Sequence, residues 1–139
     1  MKTRSQSLGG WGEDLAASYL AGLGYTILER NVRTPYGEID LIAHLEPVAY
    51  KMSSPRPSFS LPASTVTVFV EVKTRSTSAF GMPEASITPR KKAHLLSAIQ
   101  AYIQAHPDIQ GDWRVDVIAI RRSLPGKPAE IIHFENALS

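Results

Sequence analysis

The chain has 139 residues, about the length of one ordinary domain, and is 43% hydrophobic and 20% charged, which is globular and not disordered. Its formal net charge of +2 permits nucleic-acid binding without arguing for it, because 13 acidic residues would repel phosphate wherever they face it. Cysteine is absent, which excludes disulfides, thiolate zinc sites and a Cys nucleophile.

The N-terminal stretch MKTRSQSLGGWGED is charged and lacks the apolar core of a signal peptide. No run approaches the ~18 apolar residues of a membrane span, so a cytoplasmic protein without membrane contact is expected. From Leu8 to Leu23, the residues Leu8, Trp11, Leu15, Tyr19 and Gly22 recur at helical spacing, and Gly24 stands where a C-cap glycine belongs. Two strand-like runs follow, YTILERN (25–31) and GEIDLIAH (37–44), separated by the turn Thr34-Pro35-Tyr36-Gly37. Residues 45–64 carry Pro47, Pro55, Pro57 and Pro62 among serines without periodicity, and are expected to form a long, mobile hairpin loop.

TVTVFVEVK (65–73) is the strongest strand, with Val66, Val68, Val70 and Val72 on one face. Residues 78–87 read as loop. Thr88-Pro89 then opens a helix as N-cap and first-turn proline, Leu96, Ile99 and Ile103 supply its predicted stripe, and His106-Pro107 ends it. WRVDVIAI (113–120) and EIIHF (130–134) are the last strands. The order α-β-β-β-α-β-β predicts one layered α/β domain over residues 1–139.

By the two-residue strand period, Glu38 and Asp40 share a face with Ile42, while Ile39, Leu41 and Ala43 take the other. Glu71 and Lys73 likewise share a face with Phe69 and Thr67, and stand ~7 Å apart along the strand. If the two strands pair, these four groups can converge. Two carboxylates ~4 Å apart repel by ~4 kcal/mol at an effective dielectric near 20, and three beside one lysine stay poorly compensated. A divalent cation resolves this: hard Mg²⁺ or Mn²⁺ prefers carboxylate oxygens, and such an ion activates water and offsets charge on a phosphodiester. The alternative is a plain cross-strand ion pair between Glu71 and Lys73, with Glu38 on an exposed edge. Glu13 falls between Ala17 and Leu20 on the helical wheel, inside the apolar arc, whereas Asp14 and Ser18 point away. It suits a further ligand, or simply a first-turn glutamate that favours the helix dipole.

At this point the motifs converge on a resemblance. WGEDLAASYLAGLGY, GEIDLIA, VFVEVKTRS with FGMPEASITPRK, and RVDVIAI, in that order, resemble the YraN-like family of bacterial proteins. That family is placed with the Holliday-junction-resolvase-like members of the PD-(D/E)XK nuclease superfamily. The resemblance covers nearly all of the chain outside 45–64. It implies a restriction-endonuclease-like α/β/α fold with a central mixed sheet, Mg²⁺ or Mn²⁺ dependence, and branched or otherwise structured DNA as substrate. It sets Asp40 at the motif's aspartate, Glu71 and Lys73 at its E-x-K, and Glu13 at the helix-one glutamate of archaeal-type resolvases. Together with the strand-face reading, this makes Glu38, Asp40 and Glu71 the expected metal ligands, with Lys73 assisting the attacking water and Glu13 completing the site. Resolvase-like relatives are often dimers, since two strands must be cut, so a homodimer is the matching expectation.

Arg90, Lys91 and Lys92 occupy the first turn of the second helix, where cations oppose the helix dipole and a phosphate would be favoured; Arg75 extends this basic surface. Asp116 faces the same side as Arg114, which suggests a structural pairing with a basic neighbour. Trp11 and Tyr19 are expected in the core, and the four histidines show no metal-ligand spacing. The rival readings are a nucleic-acid-binding module without turnover and a scaffold protein that retains the nuclease fold.

Overall fold

The computed structural model describes residues 8–46, 65–75, 87–109, 111–122 and 125–138. The expected hairpin loop at 45–64 and the loop at 78–87 therefore lie almost wholly outside the described residues. Helix α1 spans Leu8–Gly22 and ends as the glycine predicts. Gly24 adopts φ +98°, its N–H donates to the Ala21 carbonyl, and the Tyr25 N–H donates to the Leu20 carbonyl. That is a Schellman cap, which uses two carbonyls the helix end would otherwise leave bare.

Strands β1 (Thr26–Thr34), β2 (Gly37–Leu45), β3 (Val66–Arg75), β4 (Trp113–Arg121) and β5 (Glu130–Phe134) form one sheet in the order β1-β2-β3-β4-β5. Only β3 and β4 run parallel, and helix α2 (Pro89–Ala105) lies between them in sequence as the crossover that parallel neighbours need. Thr88 caps α2: its side-chain oxygen accepts the Lys91 N–H at 3.1 Å, with Pro89 at the first helical position.

Two hydrophobic clusters lie on opposite faces of the sheet. One joins Ala16 and Leu20 of α1 to Leu41, Ala43, Val68, Val70, Ile118 and Ile120, with Trp11, Leu15 and Tyr19 packed against it. The other joins Leu95, Ala98, Ile99 and Tyr102 of α2 to Ile39, Ile42, Phe69 and Val115. The buried stripe of α2 is therefore Leu95–Ala98–Ile99–Tyr102; of the predicted set only Ile99 is fully buried, and Leu96 and Ile103 flank it. The Phe69 ring fixes this phase, since it meets Tyr102 edge-on with centroids 5.9 Å apart. Among the described residues, a mixed five-stranded sheet carries one helix on each face, which is the restriction-endonuclease-like arrangement.

Alternation in β2 slips at Asp40. Ile39 packs with Ile42 on the α2 side, whereas Leu41 and Ala43 pack on the α1 side, which corrects the expected shared face. The cause lies across the ladder. Arg30 pairs with Leu41 and Val32 with Ile39, and between them Asn31 adopts φ +53°, a left-handed kink that asparagine tolerates better than most residues.

Candidate metal centre

The kink sets Asp40 at a fork. Pairing between β2 and β3 runs from Leu45↔Val66 to Leu41↔Val70 and goes no further. Just past that pair, the Val72 N–H donates to Asp40 Oδ2 at 2.8 Å, so a carboxylate replaces the backbone acceptor as the strands part. Glu38 follows two residues earlier on β2, and α1 brings Glu13 to the same place. One carboxylate oxygen from each of Glu13, Glu38 and Asp40 lies within 4.8 Å of the other two.

Gly12 explains how a helix glutamate comes so near. A Cβ at Gly12 would sit 2.3 Å from Thr74 Oγ1 on β3, so only glycine allows α1 to settle this close to the strand. Asp14, the residue after Glu13, anchors the same turn to β1 through Arg30 at 2.5 Å. It points away from the apolar arc, as its place on the helical wheel requires, and is bound to the sheet edge.

Asp40 is electrostatically stressed. Burial, then the neighbouring Glu71 charge, push its pKa up from 3.8 to about 7; the Val72 N–H works against this, and Glu13 and Glu38 add to it. Ionising such an aspartate at neutral pH is costly unless a cation takes the proton's place.

Glu71 borders Asp40 but is not one of the three mutually close carboxylates, and Lys73 lies beside it. They pair with one another at 3.1 Å and, with Ile87, Lys91 and Leu95, line a recess of about 30 Å³ beside α2. The expected convergence of all four groups is thus divided: Asp40 and Glu38 meet Glu13, while Glu71 meets Lys73, near enough to Asp40 for its charge to be felt there. The strand period explains the division. Val70 and Val72 pack on the α1 side, which leaves Glu71 and Lys73 on the side of α2. Arg75, Arg90, Lys91 and Lys92 are all exposed, Arg75 at the end of β3 and the other three at the start of α2.

Asp116, by contrast, is a structural group. It is fully buried and receives Arg114 Nε at 2.9 Å, Arg114 Nη2 at 3.1 Å and the Asn136 N–H at 3.0 Å, with His133 Nε2 at 2.7 Å. Burial alone would raise its pKa, but the bonds from His133, Arg114 and Asn136 outweigh it and hold the carboxyl below its usual value. Sequence reasoning anticipated the basic neighbour and missed His133, which sits on β5 beside it and also meets the Tyr19 hydroxyl at 3.2 Å.

The fold and this fork define the class: a restriction-endonuclease-like α/β protein with an acidic centre where two central strands diverge. Residues 12–120 match the profile of the uncharacterised protein family UPF0102. The chain is 36% identical to a UPF0102 protein of Dehalococcoides mccartyi over 138 residues, covering 99% of this chain and 98% of the relative. Similar relatives are UPF0102 proteins of Syntrophotalea carbinolica, 38% identical over 131 residues (94% and 90% of the two chains), and of Syntrophomonas wolfei, 40% identical over 116 residues (84% and 85%). This protein belongs to the UPF0102, or YraN-like, family. Among the described residues, no helix is long and apolar enough to cross a membrane.

Proposed function

We propose that this protein is a divalent-metal-dependent endonuclease that hydrolyses phosphodiester bonds in DNA, with branched DNA as its substrate class. The observation that carries the reading is the Glu13–Glu38–Asp40 cluster at the β2–β3 fork. Its donor set fits a hard divalent cation. All three groups offer carboxylate oxygens within 4.8 Å of one another, and burial, then neighbouring carboxylates, raise the Asp40 pKa, which a bound cation would offset. Glu13, Glu38 and Asp40 would hold Mg²⁺ or Mn²⁺, and Glu71 would join them once its bond to Lys73 opens. When bound, such an ion supplies positive charge to a phosphate and acidifies water.

The chain's own groups divide the remaining work. The Val72 N–H holds Asp40 Oδ2 and thereby fixes the carboxylate's direction. Lys73, nearly buried, offers ammonium protons to a phosphate oxygen or to the attacking water. Arg75, Arg90 and Lys92 are exposed and suit contacts to the DNA backbone, which add affinity and position without reading sequence. The branched-DNA assignment rests on the resemblance to resolvases, and a homodimer would present two centres to two strands.

A second reading, a binding module that does not turn over, draws on the closed Glu71–Lys73 pair, which leaves Glu71 outside the carboxylate cluster. Purified protein assayed with Mg²⁺ or Mn²⁺ on branched, flap, single-stranded and duplex DNAs separates the two. Metal-dependent cleavage supports the nuclease. Binding without cleavage of any of them supports the module.

A further inference from the structure

We propose that Lys91 is a second active-site cation, which binds, together with Lys73, a non-bridging oxygen of the reacting phosphate in the recess beside α2. The inference rests on the nuclease reading and assigns Lys91 a role different from that of its neighbours Arg90 and Lys92.

The recess is lined by Glu71, Lys73, Ile87, Lys91 and Leu95. Two lysines and one glutamate line it, a formal charge of about +1, beside the apolar Ile87 and Leu95. Its volume of about 30 Å³ is enough for a water or a phosphate oxygen. Lys73 is only 8% exposed, and Glu71 at 3.1 Å offsets one of the two positive charges. Lys73 and Lys91 line this one recess, and two cations so placed repel; an anion between them removes the repulsion.

The Lys91 and Lys92 N–H groups are already bonded to Thr88, so the two lysine side chains are the donors that line the recess. Placement also suits the chemistry. Glu71 adjoins both the recess and Asp40, so a phosphate seated on the lysines lies beside the acidic fork. The carboxylates gather the cation and the lysines gather the anion.

The test compares Lys91→Ala and Lys91→Arg with Lys127→Ala, which removes the same charge from the exposed β4–β5 connection. Inorganic phosphate is titrated into each metal-free protein and followed by calorimetry, and cleavage kinetics are measured alongside. Wild type, Lys91→Arg and Lys127→Ala are expected to bind phosphate, and Lys91→Ala is expected to lose it. In cleavage, Lys91→Ala should lower kcat by on the order of 100-fold with KM little changed, the scale of losing one transition-state donor. Phosphate binding by Lys91→Ala equal to wild type, or none by wild type, overturns the assignment. Lys91-dependent phosphate binding in a protein that cleaves no DNA would defeat the nuclease reading and leave the anion recess standing. Cleavage with kcat indifferent to Lys91 would do the reverse.

Discussion

The Asp40 carboxylate accepts the Val72 backbone N–H at 2.8 Å, just beyond Leu41↔Val70, where β2 and β3 cease to pair. That bond ties a titratable group to the sheet's hydrogen-bonding ladder. It also holds the group among other acids, where its pKa reaches about 7.

A pH dependence follows for the metal-free protein. Because the folded pKa of Asp40 lies above its unfolded value, the protonated form favours folding, fully so below 3.8. That contribution is lost as pH rises from 3.8 through about 7. Asp40→Asn, which resembles the protonated form in shape, should flatten this part of the stability–pH curve and leave the protein at least as stable as wild type above neutrality. Denaturant unfolding across that range checks it, and a variant less stable than wild type at high pH would count against the strained-carboxylate account.

Gly12→Ala should destabilise the fold by about 1–3 kcal/mol, because the new methyl overlaps Thr74 Oγ1 and a β-branched side chain in a strand has few rotamers to retreat to. It should also weaken metal binding by shifting Glu13. Adding Thr74→Ala opens the space, so the double variant should recover much of both losses. Chemical denaturation and metal titration of the two variants give the answer, and a double variant no better than the single would show that α1 is held off by other contacts.

Asp116→Ala should cost about 3–5 kcal/mol, the scale for removing one partner of a buried ion pair, since Arg114 and His133 are left facing an emptied acceptor. The metal-induced shift should survive wherever the variant folds. Loss of the metal response in a folded Asp116→Ala protein would place this network in the centre rather than behind it.

Removing Arg90 and Lys92 together should weaken DNA binding and reduce the slope of log K against log[salt] by up to about 1.8, at ~0.9 per phosphate contact. Binding measured over a salt series provides the slope. No change would take the start of α2 out of the DNA interface.

Much of this architecture could be read from local chemistry. Thr88-Pro89 marked the start of α2 and Gly24 the end of α1, because a cap depends on residues a few positions away. The alternating valines of β3 announced both its state and its apolar face. What stayed hidden depended on neighbours distant in sequence. Nothing near Asn31 shows that its left-handed turn will reverse which side Ile39 packs on, and so how Asp40 meets Glu13. Leu95 and Leu96 are equally apolar, and the phase of α2 is set by packing on the sheet, where Phe69 meets the Tyr102 ring edge-on. His133 reaches Asp116 because β5 pairs with β4 in the register Ile118↔His133, which no local pattern encodes. Glu71 and Lys73 were recognisable as a pair, but their separation from the acidic cluster is a property of the fork.

Thermal unfolding with and without Mg²⁺ or Mn²⁺ tests most directly whether Glu13, Glu38 and Asp40 form a divalent-metal centre. Metal that binds only the folded state stabilises by mass action, by about 2.7 kcal/mol at a hundredfold excess over Kd. Wild type should therefore melt several degrees higher with metal, while Asp40→Asn should melt at the same temperature with and without it. A wild-type midpoint indifferent to both metals, with calorimetry likewise silent, would contradict the account.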